Sequence, residues 1–278
     1  MPSKTSSSLR IGEPGVQSVT VSAADYSSYL HIDELLELQQ PLTKGAHDEM
    51  LFVVVHQVYE LWFKLILHEL DRVVLDLSAC RPQRAIPPLQ RAVRIDELLI
   101  HQLRVLETMS PDGFLEFRDP LAPASGLQSG QFRAIEYLGG LREQHRFDES
   151  VLSQRDRDDL ERRGATPTMY EALCACMRGH GVDTPDGADV PSGERRLAAL
   201  ADLYRNHESP GRALLHQVCE LFLDHDEAVA RWRFQHVLMA SREIGARIGT
   251  GGSSGVEYLR GGVNQRFFPE LWEVRSRL

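Results

Sequence analysis

Closely paired cysteines are scarce in this sequence. The four cysteines are Cys80, Cys174, Cys176 and Cys219, and only Cys174 and Cys176 lie near each other. A C-x-C without a second pair is a weak metal signal. The expectation is reduced thiols in a cytoplasmic protein. A surplus of basic charge is missing as well. The formal net charge is -9, which argues against a nucleic-acid or anionic-membrane surface, where a basic patch is needed. The opening MPSKTSSSLRIGEPG has no apolar core. It reads as a mobile tail over residues 1–20 and not as a signal peptide. One run, Met50 to Lys64, is greasy enough to suggest a membrane span, yet it contains His56, Gln57, Glu60 and Lys64. Ionisable groups are costly inside a bilayer, so neither membrane nor nucleic acid is expected among the partners.

Strand signals are also lacking. No run alternates apolar and polar residues, and no repeat recurs along the chain. Helical spacing dominates instead. Asp25 to Leu38 has apolar residues three and four apart and ends near Pro41. Asp48 to Leu77 contains neither Gly nor Pro and predicts one long helix. Pro87 and Pro88 suit the first turn of another, running to about Met109, and Ser110-Pro-Asp-Gly113 breaks it. Arg118 to Gly126 is a loop rich in proline, and Gln131 to Leu138 returns to helix. Arg142 to Arg163 is highly charged and expected at the periphery. Thr168 to Met177, Glu194 to His207 and Gly211 to about Ile244 complete the pattern. The predicted fold is all-α: one domain over residues 21–278, a helical bundle of long antiparallel helices.

Several catalytic signatures are absent. There is no H-E-x-x-H, and no histidine has a glutamate three positions before it, which removes the E-x-x-H mark of di-iron bundles. His47-Asp48-Glu49 is polar enough for a metal, but consecutive helix residues point in different directions, and acidic residues in a first turn complement the helix dipole. Ile248-Gly-Thr-Gly-Gly-Ser-Ser-Gly255 is not a P-loop and follows a helix, whereas dinucleotide-binding loops follow a strand. It is either a flexible connection or a loop that closes over a small ligand with its N–H groups and Thr250.

What is present is polar chemistry on greasy helices. His56 follows three valines and lies four residues after Phe52, on the same helix face. It is either a core histidine held by one hydrogen bond or the single polar contact of an apolar pocket. His236 sits on another apolar helix, where one histidine facing a pocket can serve as a haem ligand. Arg118, beside Phe114 and Phe117, is either a stacked surface residue or the partner of a ligand carboxylate, which a planar guanidinium grips with two parallel hydrogen bonds.

Longer motifs join these pieces. HDEMLF at His47, HQ-x-YELW-x-K at His56 and HEL at His68 come first. F-x-x-FRD-x-L-x-P-x-SG-x-QS-x-QFR follows, from Phe114 to Arg133. RWRF-x-H and GTGGSSG run from Arg231 to Gly255, and FFPELWEVR closes the chain from Phe267 to Arg275. Together they resemble the tryptophan 2,3-dioxygenase family, from about Tyr26 to the C-terminus. The resemblance implies an all-α enzyme that encloses haem b, active in the ferrous state with O2 as co-substrate. It implies a homotetramer, a dimer of dimers, that opens the indole ring of L-tryptophan to N-formylkynurenine. By motif position, His236 is the implied ligand of the haem iron, with Ser125 and Trp232 beside the haem. His56 is the implied distal catalytic group on the indole N–H, and Arg118 the implied clamp on the substrate carboxylate. Gly249 and Thr250 are implied over the ammonium, with Phe52 and Phe114 against the indole. Tyr26 and Tyr29 match a segment that completes a neighbouring subunit's site.

Some positions depart from the family pattern. Leu127 replaces a phenylalanine, Gly130 stands where a larger apolar residue is common, Gln235 precedes the proximal histidine, and Arg247 replaces a lysine. Leu127 and Gly130 are expected to enlarge the pocket near the haem edge. They keep a second reading open: a related haem monooxygenase that converts a 3-substituted tryptophan, such as β-methyltryptophan, to a 2-oxindole. A third reading is a sensor that binds haem or an indole without turnover. The joint presence of His56, Arg118, His236 and Thr250 argues against it.

Overall fold

The computed structural model describes residues 25–142 and 151–278. The expected tail over residues 1–20 lies outside the described residues, as do residues 143–150 of the charged segment. Every regular element among the described residues is helical. The described residues form two compact units that meet in the sequence at Gln40 and Pro41.

The smaller unit contributes α1 (Tyr26–Leu30) and α2 (Ile32–Leu36). Asp25 caps α1 by accepting from the Ser28 N–H at 2.9 Å. The spacing predicted one continuous helix here. The chain instead turns at His31, whose φ of 52° is left-handed and ends α1.

The larger unit is organised around three long helices. α3 (Asp48–Ser78) runs 31 residues without a breaker, as expected. Asp48 and Glu49 occupy its first turn, and the buried Glu49 carboxylate accepts from the N–H groups of Leu42 and Thr43 at 2.7 and 2.8 Å. The His47–Glu49 run therefore starts a helix, and among the described residues no cluster of three His, Cys, Asp or Glu could hold a metal ion. α4 (Pro82–Leu106) starts a turn and a half earlier than predicted. Pro82 takes the first helical position, and Pro87 and Pro88 lie inside the helix. Their missing N–H groups leave the carbonyls four residues back without an intrahelical donor. Burial of Ala85, Pro88, Leu89 and Ala92 offsets that loss. α10 (Pro210–Ile244) is the third long helix.

Cross-links fix their directions. The Tyr59 hydroxyl donates to the Leu99 carbonyl at 2.8 Å, and Gln102 Nε2 donates to the Val55 carbonyl at 2.8 Å. Residue numbers rise on one helix as they fall on the other, so α3 and α4 are antiparallel. Between α4 and α10 the buried Asp96–His225 contact is 2.6 Å and the Gln235–Glu107 hydrogen bond 2.5 Å. Here both numbers rise together: α4 and α10 run in the same direction, while α10 opposes α3.

α3 is the one described helix long and apolar enough to cross a membrane by length and composition. It packs instead against α4, α6 (Gly130–Leu138) and α8 (Met169–Gly179). Leu70, Val73 and Leu77 are fully buried in the shared core. Cys174 and Cys176 are buried on α8, so the C-x-C spacing serves packing. α7 (Gln154–Gly164) belongs to the segment expected at the periphery, yet its Arg163 is buried and grips Asp71 of α3 at 2.6 and 3.1 Å. α5 (Pro111–Leu121), α9 (Val190–Arg205), α11 (Val256–Gly262) and α12 (Pro269–Glu273) complete the unit. α5 was not expected: Ser110 accepts from the Gly113 N–H at 3.0 Å as an N-cap and Pro111 is the first helical residue. The apparent break begins a helix that carries Arg118.

The C-terminal segment is tied down by one carboxylate. Buried Asp226 accepts from the N–H groups of Phe267 and Phe268 at 3.0 and 3.2 Å and from Trp272 Nε1 at 2.9 Å. Asp226→Asn replaces one acceptor oxygen with a donor and leaves a buried N–H facing another donor. We expect a loss of about 1–3 kcal/mol, measured by urea denaturation against the parent protein.

Candidate active site

Between α3, α4, α5, α6 and α10 lies a cavity of about 580 Å³. That volume is typical of a cofactor or ligand pocket. Its wall includes Phe52, His56, Phe114, Arg118, Ser125, Trp232, His236, Gly249 and Thr250. Three widely separated stretches of sequence thus converge on one space. Tyr26 and Tyr29 belong to the smaller unit, where they are 77% and 74% exposed on α1.

His56 has a fixed tautomer. Its Nδ1 lies 2.7 Å from the Phe52 carbonyl. A carbonyl only accepts, so Nδ1 carries the proton and Nε2 presents a lone pair. The Phe52 ring lies 4.0 Å from the imidazole, centroid to centroid, and 6.0 Å from Phe114 in a stacked arrangement. Burial holds the His56 pKa below its ordinary value, against the opposing pull of the Phe52 carbonyl and Glu60. His56 is therefore a neutral acceptor on an aromatic wall.

His236 sits on the facing helix. Its ring stacks on Trp232 at 5.4 Å, and among the described residues it makes no hydrogen bond. Burial, followed by the nearby His56, pushes its pKa down to about 4. It is neutral at physiological pH, the state in which imidazole binds a metal. An imidazole with no hydrogen-bond partner on the wall of an apolar cavity fits a metal ligand better than a packed core histidine. Trp232 is anchored in turn: its Nε1 donates to the Tyr59 hydroxyl at 3.4 Å.

The glycine loop closes one side. Arg118 Nη2 donates to the Ile248 carbonyl at 2.5 Å, and the Thr250 hydroxyl donates to the Ala124 carbonyl at 2.7 Å. These bonds tie the loop to the end of α5. Glycine is required at two points. A Cβ on Gly251 would lie 2.7 Å from the Ser125 side chain. Gly255 has a φ of +63°, and a Cβ there would lie 2.5 Å from the Arg247 carbonyl oxygen. Ser125 accepts from the Leu127 N–H at 3.1 Å and caps the short 3-10 turn that begins at Gly126.

The departures from the family pattern resolve differently. Leu127 does line the cavity. Gly130 creates no space: a Cβ there would lie 2.3 Å from Asp156 Cγ, because α7 packs its Asp156 against α6. The expected enlargement at Gly130 is filled from outside. Gln235 is committed to Glu107.

Sequence reasoning missed the charged lining. Glu136 on α6 accepts from Arg233 at 2.8 Å and pairs with Arg133 at 2.6 Å. Two guanidinium groups share this carboxylate, and Asp226 lies near enough to act on Arg233 as well. The i,i+3 pair Arg133–Glu136 was visible in the sequence; its contact with Arg233, 97 positions away, was not. Glu243, also on the wall, left no signal at all.

Comparison with known proteins decides the family. The sequence profile of tryptophan 2,3-dioxygenase matches residues 12–174 and 183–278. The chain belongs to the tryptophan 2,3-dioxygenase family. A tryptophan 2,3-dioxygenase from Nocardioides is 40% identical over 97% of this chain and 98% of the relative. Those from Caulobacter vibrioides and Bacillus thuringiensis are 39% and 35% identical, over 91% and 96% of this chain and 98% of each relative. The matched residues span both units and every tryptophan 2,3-dioxygenase motif quoted above.

Proposed function

We propose that the protein is a haem-dependent oxidoreductase that cleaves the indole 2,3-bond of L-tryptophan with O2, giving N-formylkynurenine. The observation that carries this reading is a single aromatic cavity that presents two neutral histidines from opposed helices together with Arg118. The names of the relatives, all tryptophan 2,3-dioxygenases, support ring cleavage over the oxindole-forming alternative.

In this reading the haem domain covers residues 21–278 and His236 holds the iron of haem b. Ser125 and Trp232 flank the haem, and the guanidinium groups of Arg133 and Arg233 on the cavity wall suit its anionic groups. When bound, ferrous haem supplies the O2 chemistry, which no side chain here can perform. The chain's own residues bind and orient. His56 Nε2 accepts the indole N–H, and the Nδ1–H bond to Phe52 keeps that lone pair aimed at the substrate. A neutral imidazole is far too weak a base to remove the indole proton outright. The role of His56 is orientation, with at most partial proton transfer. Phe52 and Phe114 pack the indole and exclude water. Arg118 takes the carboxylate, and Gly249 and Thr250 cover the ammonium.

Tyr26 and Tyr29, well exposed on α1, support a role in completing a neighbouring subunit's site. Exposed Phe234 and Leu238, one turn apart on α10, support assembly into a homotetramer. Four free cysteines support a reducing, cytoplasmic setting.

The test is product mass spectrometry with ferrous, haem-loaded protein and labelled O2, offering L-tryptophan and β-methyltryptophan separately. Two label atoms in a ring-opened product are expected, without added reductant. One label atom with the ring intact and a reductant consumed would replace this reading with the monooxygenase.

A further inference from the structure

The three long helices meet at one tyrosine hydroxyl. Tyr59 stands on α3, and its hydroxyl donates to the Leu99 carbonyl of α4 at 2.8 Å. The same oxygen accepts from Trp232 Nε1 of α10 at 3.4 Å. The two partners fix the directions, because a carbonyl only accepts and an indole N–H only donates. The Tyr59 hydrogen is committed to Leu99, and an oxygen lone pair is left for Trp232. Tyr59 is buried, and burial pushes its pKa up to about 12 against the pull of the Trp232 bond. The hydroxyl is therefore protonated at physiological pH.

Trp232 carries this fixed point to His236. The two residues lie about one turn apart on α10, and their rings stack at 5.4 Å with 26° between the planes. Aromatic neighbours hold the other sides of the indole. Phe132 of α6 is 5.1 Å away, Tyr59 itself 6.0 Å, and Phe63 6.3 Å with its ring at 90°. Ring contacts tolerate small rotations, whereas a hydrogen bond weakens steeply as its angle closes. The bond from Nε1 to Tyr59 is thus what fixes the indole within its aromatic cage.

His236 has no such anchor of its own. Among the described residues neither ring nitrogen has a hydrogen-bond partner. A metal-binding imidazole ordinarily has its second nitrogen held by a carboxylate, a carbonyl or water. Here, among the described residues, the stacked indole is the one ring that touches it. Tyr59, Trp232 and His236 all lie on the wall of the same cavity.

We infer that Tyr59 is a positioning residue for the iron ligand: through Trp232 it sets the rotation of the His236 ring. In the proposed function, on which this inference rests, His236 holds the haem iron. No step of the reaction touches the Tyr59 hydroxyl. It keeps the imidazole in one orientation beforehand, so less freedom is lost when the cofactor binds. The chain from Leu99 through Tyr59 and Trp232 to His236 also makes the ligand's orientation depend on how α3, α4 and α10 pack.

The experiment is a double-mutant cycle on haem release. The parent, Tyr59→Phe, Trp232→Phe and the double variant are loaded with haem, and its transfer to excess apomyoglobin is timed by absorbance. Tyr59→Phe keeps the ring and removes only the hydroxyl. It should release haem about fivefold faster, the factor that one ordinary hydrogen bond contributes. In the Trp232→Phe background no N–H remains to be held, and the same change should alter the rate by less than about twofold. The iron–imidazole stretching band of the ferrous protein, read by resonance Raman, should shift in Tyr59→Phe. A merely structural role gives a different pattern. Leu99 loses its donor in both backgrounds, so weakened packing would speed release equally in both. That equal effect, or no effect in the parent background, would overturn the inference. If Trp232→Phe takes up no haem, the Raman band decides, and an unmoved band in Tyr59→Phe overturns it. If the parent itself gains no Soret band with haem, the proposed function fails by itself. If it binds haem and Tyr59→Phe acts alike in both backgrounds, only the role of Tyr59 fails.

Discussion

His236→Ala should abolish turnover, with a loss of at least about a thousand-fold, and should strip the Soret band from protein reconstituted with haem. The expectation comes from what His236 does not do. It is half-buried on the cavity wall and neutral, and among the described residues no hydrogen bond occupies either ring nitrogen. A merely structural histidine in that position would be replaced with little consequence, since its removal orphans no partner. An iron ligand would not. The two cases separate by spectroscopy as well as by rate. Added imidazole should enter the space left by the alanine and restore part of the Soret band. If His236→Ala keeps the parent spectrum and activity, the iron is held elsewhere.

How much of this was legible in the sequence follows from the kind of signal each element sends. α3 and α10 were readable because long runs free of internal breakers and spaced for one apolar face have few alternatives. The starts of α4 and α5 were not. Pro87-Pro88 and Pro82 are equally good first-turn prolines, and burial of Pro88 settled the choice, which no local pattern records. Ser110-Pro-Asp-Gly113 spells both a turn and an N-cap, because Ser and Pro favour each for the same backbone reason. The parallel pairing of α4 with α10 rests on contacts more than 120 positions apart, His225 with Asp96 and Gln235 with Glu107. The site residues were found through their motifs, and the structure brings nine of them onto one wall. Glu243 escaped because one glutamate near the end of a mixed helix looks like a solvated surface residue until its neighbours are known.

The tautomer of His56 is another property that emerges only in three dimensions. The sequence places His56 four residues after Phe52, and an α-helix then brings the Nδ1–H to the Phe52 carbonyl. One bond thereby settles three things: which nitrogen is protonated, which faces the cavity, and how the ring is turned. It also links helix geometry to chemistry. Protonation of Nε2 would replace the lone pair by a donor and oppose the indole N–H, so the depressed pKa keeps the acceptor form available as pH falls toward the ordinary histidine range.

Arg118→Ala should weaken L-tryptophan binding by about a hundred-fold or more, since each of two charged hydrogen bonds contributes about 1.5–3 kcal/mol. Arg118 has two jobs, however, and the measurement must part them. One guanidinium nitrogen already donates to Ile248 and so holds the glycine loop against α5. Its contact with Asp119 is 3.7 Å long and the Asp119 side chain is 93% exposed, so that pair contributes little. Removing the side chain loosens the loop for every ligand, with or without a carboxylate. The comparison ligand is therefore tryptamine, which keeps the indole and the ammonium. Loop loosening should weaken both ligands alike, and the excess loss for tryptophan measures the carboxylate contact. Arg118→Lys retains the charge without the planar fork and should fall between. Equal losses for tryptophan and tryptamine would leave Arg118 as a loop tether and move the carboxylate to Arg133 and Arg233, the other guanidinium groups on the cavity wall.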